Sequence, residues 1–198
     1  MYLKIGVFVL AYLMGSIPTA YWYAKYFHGI DIREHGSGNV GATNSLRVLG
    51  KKAGIIVLIF DLLKGLSPVL LSRYLGFSEE ETFLVGITSI LGHVWSIFAN
   101  FKGGKGIATS LGVILAVAPA GAGISVLVFV SVVYFSKYVS LGSLLAGLTF
   151  VFYYLIFYSS ETTMSLIAFS LFILLVYTHR ENIKKLLKGT ENKLSSKK

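Results

Sequence analysis

Seven apolar runs, most of them near the roughly 20 residues that an α-helix needs to cross a bilayer, leave this chain few folds to adopt. They fall at 3–25, 53–75, 82–100, 107–119, 122–136, 140–158 and 162–178. The first is interrupted by Gly15-Ser16-Ile17-Pro18. The fourth is short and rich in small residues, and Gly121, Ala122 and Gly123 mark a turn beside Pro119 at its end. Charged residues make up only 14% of the chain, where a soluble domain carries about 25%, and mean hydropathy is +0.72. The expectation is an all-α, polytopic membrane protein with seven transmembrane helices. A six-span arrangement, with the fourth and fifth runs fused or one of them lost, is the alternative. The first run has some features of a signal peptide, namely Lys4, an apolar stretch and small residues near Gly15. Aromatic character continues through Tyr21, Trp22, Tyr23 and Tyr26, so it reads as a retained span with an interfacial belt.

The basic residues orient these spans. With the connection after the first span inside, fifteen of the 18 Lys and Arg lie on the inner side, Lys4 and Arg73 lie outside, and Lys64 lies within the second span. Glu79, Glu80, Glu81 and Glu161 lie on the outer side. The positive-inside rule then places the N-terminus outside and the C-terminus in the cytoplasm. The net charge of +9 reports orientation and contact with anionic lipid, and no nucleic-acid partner is expected. The absence of cysteine excludes disulfides, thiolate metal sites and a cysteine nucleophile. Residues 1–178 are expected to form one membrane domain with a cytoplasmic-facing site, and 179–198 a basic tail, first interfacial and then disordered.

Polar, glycine-bearing sequence collects on the inner side. The stretch 36–47, Gly-Ser-Gly-Asn-Val-Gly-Ala-Thr-Asn-Ser-Leu-Arg, is a polar loop in an otherwise hydrocarbon-rich chain. Its glycines let backbone N–H groups approach an anion, Ser37, Asn39, Thr43 and Asn44 supply neutral polar groups, and Arg47 supplies a fork for phosphate or carboxylate. A plain connector has the same composition. Phe101-Lys102-Gly103-Gly104-Lys105-Gly106 precedes the fourth span, so its glycines and Lys105 could face an anion at a helix N-terminus. The order differs from a Walker loop, because Gly106 follows Lys105. Asp61 and Lys64 are three apart and share a helix face, which suggests a buried ion pair, with direct substrate contact the alternative. His93 reads as a satisfied buried histidine, bonded to Asp61 or to a backbone carbonyl. Ser140 and Ser143 open the sixth span, and His179 and Asn182 lie where the seventh meets the cytosol. His28, His35, His93 and His179 lack metal-site spacing, so no metal and no cofactor is expected.

Taken together, these motifs resemble the bacterial acyl-phosphate:glycerol-3-phosphate acyltransferase family (PlsY). The resemblance rests on Gly36-Ser37-Gly38-Asn39-x-Gly41-Ala42-Thr43-Asn44-x-x-Arg47, Asp61-x-x-Lys64-Gly65 and Gly92-His93. It continues through Phe101-x-Gly103-Gly104-Lys105-Gly106-x-Ala108-Thr109, Ser140-Leu141-x-Ser143, His179-x-x-Asn182-Ile183 and Gly189-x-Glu191, and so spans nearly the whole chain. It implies a monomeric, multi-pass enzyme of the bacterial cytoplasmic (inner) membrane, surrounded by membrane lipids. The implied reaction moves a fatty acyl group from acyl phosphate to the sn-1 hydroxyl of glycerol 3-phosphate, giving lysophosphatidic acid and phosphate for phospholipid biosynthesis.

The resemblance also implies roles. Ser37, Arg47, Lys105, His179 and Asn182 would act on glycerol 3-phosphate, with Arg47 and Lys105 neutralising phosphate. Gly103, Gly104 and Gly106 would offer N–H groups to the acyl phosphate, and Asn39, Thr43 and Ser143 would shape the wall. An acyl phosphate is an activated mixed anhydride, so positioning and charge stabilisation suffice without a covalent intermediate. Either His179 or a substrate phosphate could take the hydroxyl proton. The competing class is a transporter for a small organic anion, which would need polar residues deep in several spans and reachable from both faces.

Overall fold

The computed structural model describes residues 1–194, and these form ten α-helices joined by short turns. The end of the basic tail, 195–198, expected to be disordered, lies outside the described residues. The chain divides into two compact units, Met1–Val117 and Ala118–Lys198. Four helices are individually long and apolar enough to cross a membrane, or six spans if each of two bent pairs counts as one. The shorter apolar helix Ile107–Val117 stands beside them.

In the first unit the expected break in the first run is a real one. Helix α1 (Tyr2–Ser16) stops before Pro18, which has no N–H to donate, and α2 (Thr19–His28) restarts at an angle of 42°. Residues 36–47, read from sequence as a loop, are helical from Ala42: α3 spans Ala42–Leu49. Ser, Thr and Asn compete for backbone hydrogen bonds and so conceal such a helix in sequence. Its Ser45 N–H donates to Gly41 O at 3.0 Å, starting the first turn. Gly50, at φ 88°, then turns the chain directly into α4 (Lys51–Tyr74). Pro68 lies inside α4 and cannot donate to Lys64 O four residues back. Ser89 of α5 does so instead, its Oγ 2.7 Å from that carbonyl. Helix α5 (Glu79–Val94) opens with a reciprocal cap, Ser78 Oγ accepting from Glu81 N–H and the Glu81 carboxylate accepting from Ser78 N–H. Helix α6 (Ile107–Val117) ends with its Ala116 carbonyl accepting from Arg73 at 2.7 Å.

These helices meet backbone to backbone. A Cβ on Gly15 would overlap Ser89 O, and one on Gly92 would overlap Tyr12 O, so α1 and α5 touch at both ends of one contact. A Cβ on Gly65 would overlap Thr109 O and one on Gly112 Leu62 O, so α4 and α6 interlock in the same way.

The second unit holds α7 (Pro119–Ser136), α8 (Val139–Phe157), α9 (Thr162–Thr178) and α10 (Arg180–Leu187). Pro119 takes the first helical position of α7, where its missing N–H costs nothing. The last two helices are bent by 62° at His179. The chain beyond α10 returns to the α7–α8 turn, with Leu194 N–H donating to Lys137 O at 2.8 Å.

Candidate active site

The polar segment of the first unit is organised by Asn44, which is buried at the start of α3. Its Oδ1 accepts from Ser37 N–H at 2.8 Å, and its Nδ2 donates to Ile32 O at 3.2 Å and His35 O at 3.0 Å. One side chain thus folds residues 32–37 back over the helix start. Ser37 is left at the exposed tip, with Asn39, Thr43 and Arg47 half-buried around it. Thr43 and Arg47 are four apart on α3 and share a face. The other base of this segment is already engaged. Arg33 pairs with Asp31 at 2.6 Å and lies over the Tyr21 ring at 4.6 Å. Hydrogen bonding from that guanidinium holds the Asp31 carboxyl down at about 2.

The second glycine loop is docked tightly on the end of α5. Asn100 and Phe101 take left-handed conformations at φ 53° and 59°, and Phe101 N–H donates to Ser96 O at 2.7 Å. The chain therefore doubles back, and Gly103 N–H donates to Val94 O at 3.0 Å and Gly104 N–H to His93 O at 3.1 Å. This corrects the donor role expected of Gly103 and Gly104, because their N–H groups are spent on α5. What their lack of side chain allows is close approach. A Cβ on Gly103 would overlap His93 O, and one on Gly104 would overlap both the His93 ring nitrogen Nε2 and Val40 O. Gly106 has φ 82°, and its carbonyl accepts from Ser110 N–H at 2.7 Å, so α6 starts immediately after Lys105 and Gly106. Lys105 and Gly106 thus lead directly into the first turn of α6, whose N–H groups lack intrahelical partners. Val40 lies inside the Ser37–Arg47 segment, so the contact at Gly104 brings the two polar stretches together within the first unit.

In the second unit His179 occupies the α9–α10 bend and is only 2% exposed. Its Nδ1 is 3.0 Å from Leu175 O. A carbonyl can only accept, so Nδ1 carries a proton, and it is Nε2 that would accept whenever the ring is neutral. Asn182 donates to Glu191 Oε1 at 2.8 Å, and Ser140 Oγ donates to the same oxygen at 2.9 Å. Ser143, expected at the wall, is buried and donates to Val139 O of its own helix at 3.0 Å. The reaching hydroxyl is that of Ser140.

Sequence reasoning read Asn44 as a neutral polar group of the anion loop, whereas its amide is spent holding residues 32–37, and it gave no role to Glu191, although both lie in the motifs. Glu191 carried a signal of its own, being the one carboxylate in residues 183–198.

The sequence profile of the family described as "Glycerol-3-phosphate acyltransferase" matches residues 5–189 of this chain. The chain belongs to the glycerol-3-phosphate acyltransferase family. A family member from Thermoanaerobacter sp. (strain X514) is 47% identical over 189 residues, covering 96% of this chain and 94% of its own. One from Bacillus subtilis (strain 168) is 46% identical over 186 residues, covering 94% and 95%. Among solved structures, the chain is similar to PlsY (YgiH), described as an integral membrane glycerol 3-phosphate acyltransferase. Its glycerol 3-phosphate form matches with TM-score 0.90 and 40% identity, covering 96% of this chain and 94% of that one. Its lysophosphatidic acid form matches with TM-score 0.87 and 39% identity.

Proposed function

We propose that this protein transfers a fatty acyl group from an acyl phosphate to the sn-1 hydroxyl of glycerol 3-phosphate, releasing lysophosphatidic acid and inorganic phosphate. The observation that carries the reading is the full-length likeness to one enzyme seen with both glycerol 3-phosphate and lysophosphatidic acid, the acceptor and product of such a transfer.

The first unit handles phosphate. Arg47 offers a planar fork and Lys105 a point charge beside the α6 N-terminus, which suits substrates that each carry a phosphoryl group. Ser37, Asn39 and Thr43 add neutral donors, while Gly103 and Gly104 seat the loop. The second unit handles the hydroxyl. His179, when its ring is neutral, presents Nε2 as an acceptor, and Asn182, held by Glu191, orients the glycerol. The hydroxyl oxygen attacks the acyl carbonyl, the carbonyl carbon–phosphate oxygen bond breaks, and the phosphate leaves with the electron pair. The proton goes to the departing phosphate, with His179 orienting the hydroxyl; uptake by His179 Nε2 is the alternative route. Ser143, bonded to its own helix, serves as a wall residue.

In the membrane we propose seven crossings: the bent α1–α2 pair, α4 to α9, with α6 as the short one. The N-terminus then lies outside and the C-terminus in the cytoplasm of the bacterial inner membrane, in a monomer. Residues 1–178 make up the membrane domain. The basic segment after it, with Ile183, Leu186 and Leu187 on α10, lies along the lipid surface.

The test is phosphate release by detergent-purified protein given palmitoyl phosphate, with and without glycerol 3-phosphate. Release that depends on glycerol 3-phosphate, and falls at least about a hundredfold in Arg47→Ala and Lys105→Ala, is the expected result. Folded protein that releases no phosphate, or releases it equally without glycerol 3-phosphate, overturns the reading.

A further inference from the structure

Three ionisable side chains in the first unit take no part in that chemistry and yet are buried. Asp61 and Lys64 of α4 and His93 of α5 are 2%, 6% and 6% exposed. Intramembrane ionisable groups are costly, and where they persist they define a pathway, a site or the support of one. Lys64 Nζ lies 2.9 Å from Asp61 Oδ1 and donates to Ile17 O, at the α1–α2 break, at 2.8 Å. His93 Nδ1 is 4.0 Å from the same Asp61 oxygen. On the other side of its ring, His93 Nε2 sits directly against Gly104, in the space a side chain there would fill. His93 also receives the Gly104 N–H on its backbone carbonyl. Residue 93 therefore holds the loop by a backbone hydrogen bond and packs its ring against it, one residue before Lys105.

The local backbone supports the same grip. Pro68 frees the Lys64 carbonyl, and Ser89 Oγ on α5 takes it, which ties the two ionisable helices together next to the pair. The Ser96 hydroxyl donates to Ser16 O just before the break, anchoring the start of the doubled-back loop to α1. The ring of His93 thus stands between a fixed charge pair on one side and the phosphate-suited loop on the other.

We infer that His93, oriented by the Asp61–Lys64 pair, is a positioning residue that fixes Gly104 and so places Lys105 on a substrate phosphate; this rests on the acyl-transfer reading above. His93 touches no reacting atom. Its loss shifts Lys105 relative to the phosphate, and displacements on the scale of an ångström weaken substrate engagement by roughly tenfold to a hundredfold. A group with a merely structural role changes the amount of folded enzyme and leaves the substrate dependence of each molecule alone.

The experiment uses full-length protein in detergent, with KM for glycerol 3-phosphate and for palmitoyl phosphate, kcat per folded molecule, and the unfolding temperature with and without glycerol 3-phosphate. In His93→Ala, KM for one of the two phosphate substrates is expected to rise about tenfold or more while kcat falls by less. Asp61→Asn, which keeps the side-chain shape, is expected to move the same KM in the same direction, and reads the effect where His93→Ala does not fold. His93→Gln, with a polar group near the Nε2 position, is expected to stay closer to wild type. Unchanged KM values in both His93→Ala and Asp61→Asn, with an active wild type, overturn the positioning role alone. A wild type that is inactive and whose unfolding temperature glycerol 3-phosphate does not raise overturns the acyl-transfer reading, and the positioning role with it.

Discussion

Gly65 and Gly147 both sit within long apolar helices, but they face different things. A Cβ at residue 65 would overlap the Thr109 carbonyl of α6, a group that cannot move without its helix. At residue 147 it would meet the tip of Leu175, a rotatable methyl, with the Phe172 ring next at 3.4 Å. The same contrast holds between the units. In the first, Gly15, Gly65, Gly92 and Gly112 bring backbones into contact, while Gly86 faces the side chains of Val113 and Val69. In the second, Gly121 faces the Tyr153 ring, and Gly142 faces the Val133 side chain, then the Phe129 ring and carbonyl together at 3.1 Å. Burial differs most between α5 and α7, 56% against 17% of the apolar stretch, whereas α4 and α8 are close at 39% and 33%. Backbone contacts leave one distance between helices, whereas side-chain contacts allow repacking. The unit that holds Arg47 and Lys105 is the fixed one.

That contrast can be broken by substitution. Gly65→Ala should have the largest effect, about 3 kcal/mol or more of lost stability, because the overlapped atom is backbone. Unfolding of the purified protein in mixed micelles measures it, and a shift below about 1 kcal/mol would remove the rigidity assigned to the first unit. Asn44→Ala should come next. It strands Ser37 N–H and removes the second donor from the Ile32 and His35 carbonyls, which keep the N–H groups of His35 and Gly38; each lost hydrogen bond is worth about 1 kcal/mol. Amide exchange should quicken across residues 32–37 and leave α4 to α6 protected, with acyl transfer lost. Uniformly faster exchange would show that the segment and the helices under it form one cooperative body. Gly147→Ala should be smallest, within about 1 kcal/mol of wild type, since the gain in helix propensity offsets a rotated Leu175. A loss as large as that of Gly65→Ala would erase the difference between the units.

Much of the fold was legible because bilayer-length apolar runs carry a strong signal. Expected spans at 140–158 and 162–178 meet helices at Val139–Phe157 and Thr162–Thr178, and Pro18 marked the break at Ser16. The buried Asp61–Lys64 pair was legible for a related reason: two opposite charges three apart in an apolar run have each other as nearest partner. The site was legible in residue type more than in geometry. Helix α3 was hidden because its first turn is written in residues that favour caps and turns. The engaged N–H groups of Gly103 and Gly104 depend on the fold-back at Asn100 and Phe101, two non-glycine residues in left-handed conformations that composition does not announce. Glu191 reaches Ser140 across 51 positions, a pairing that no local pattern encodes.

The placement of Asp61 and Lys64 on one helix also matters while the chain is being made. Each charge at the centre of a helix entering the bilayer adds about 2.5–3.5 kcal/mol to the cost of insertion. Here the two leave the ribosome three residues apart and neutralise one another within a single turn of α4. That helix carries its own counter-ion into the lipid and need not wait for α5 to deliver His93. The histidine, nearly thirty residues later, arrives at a pair that is already closed.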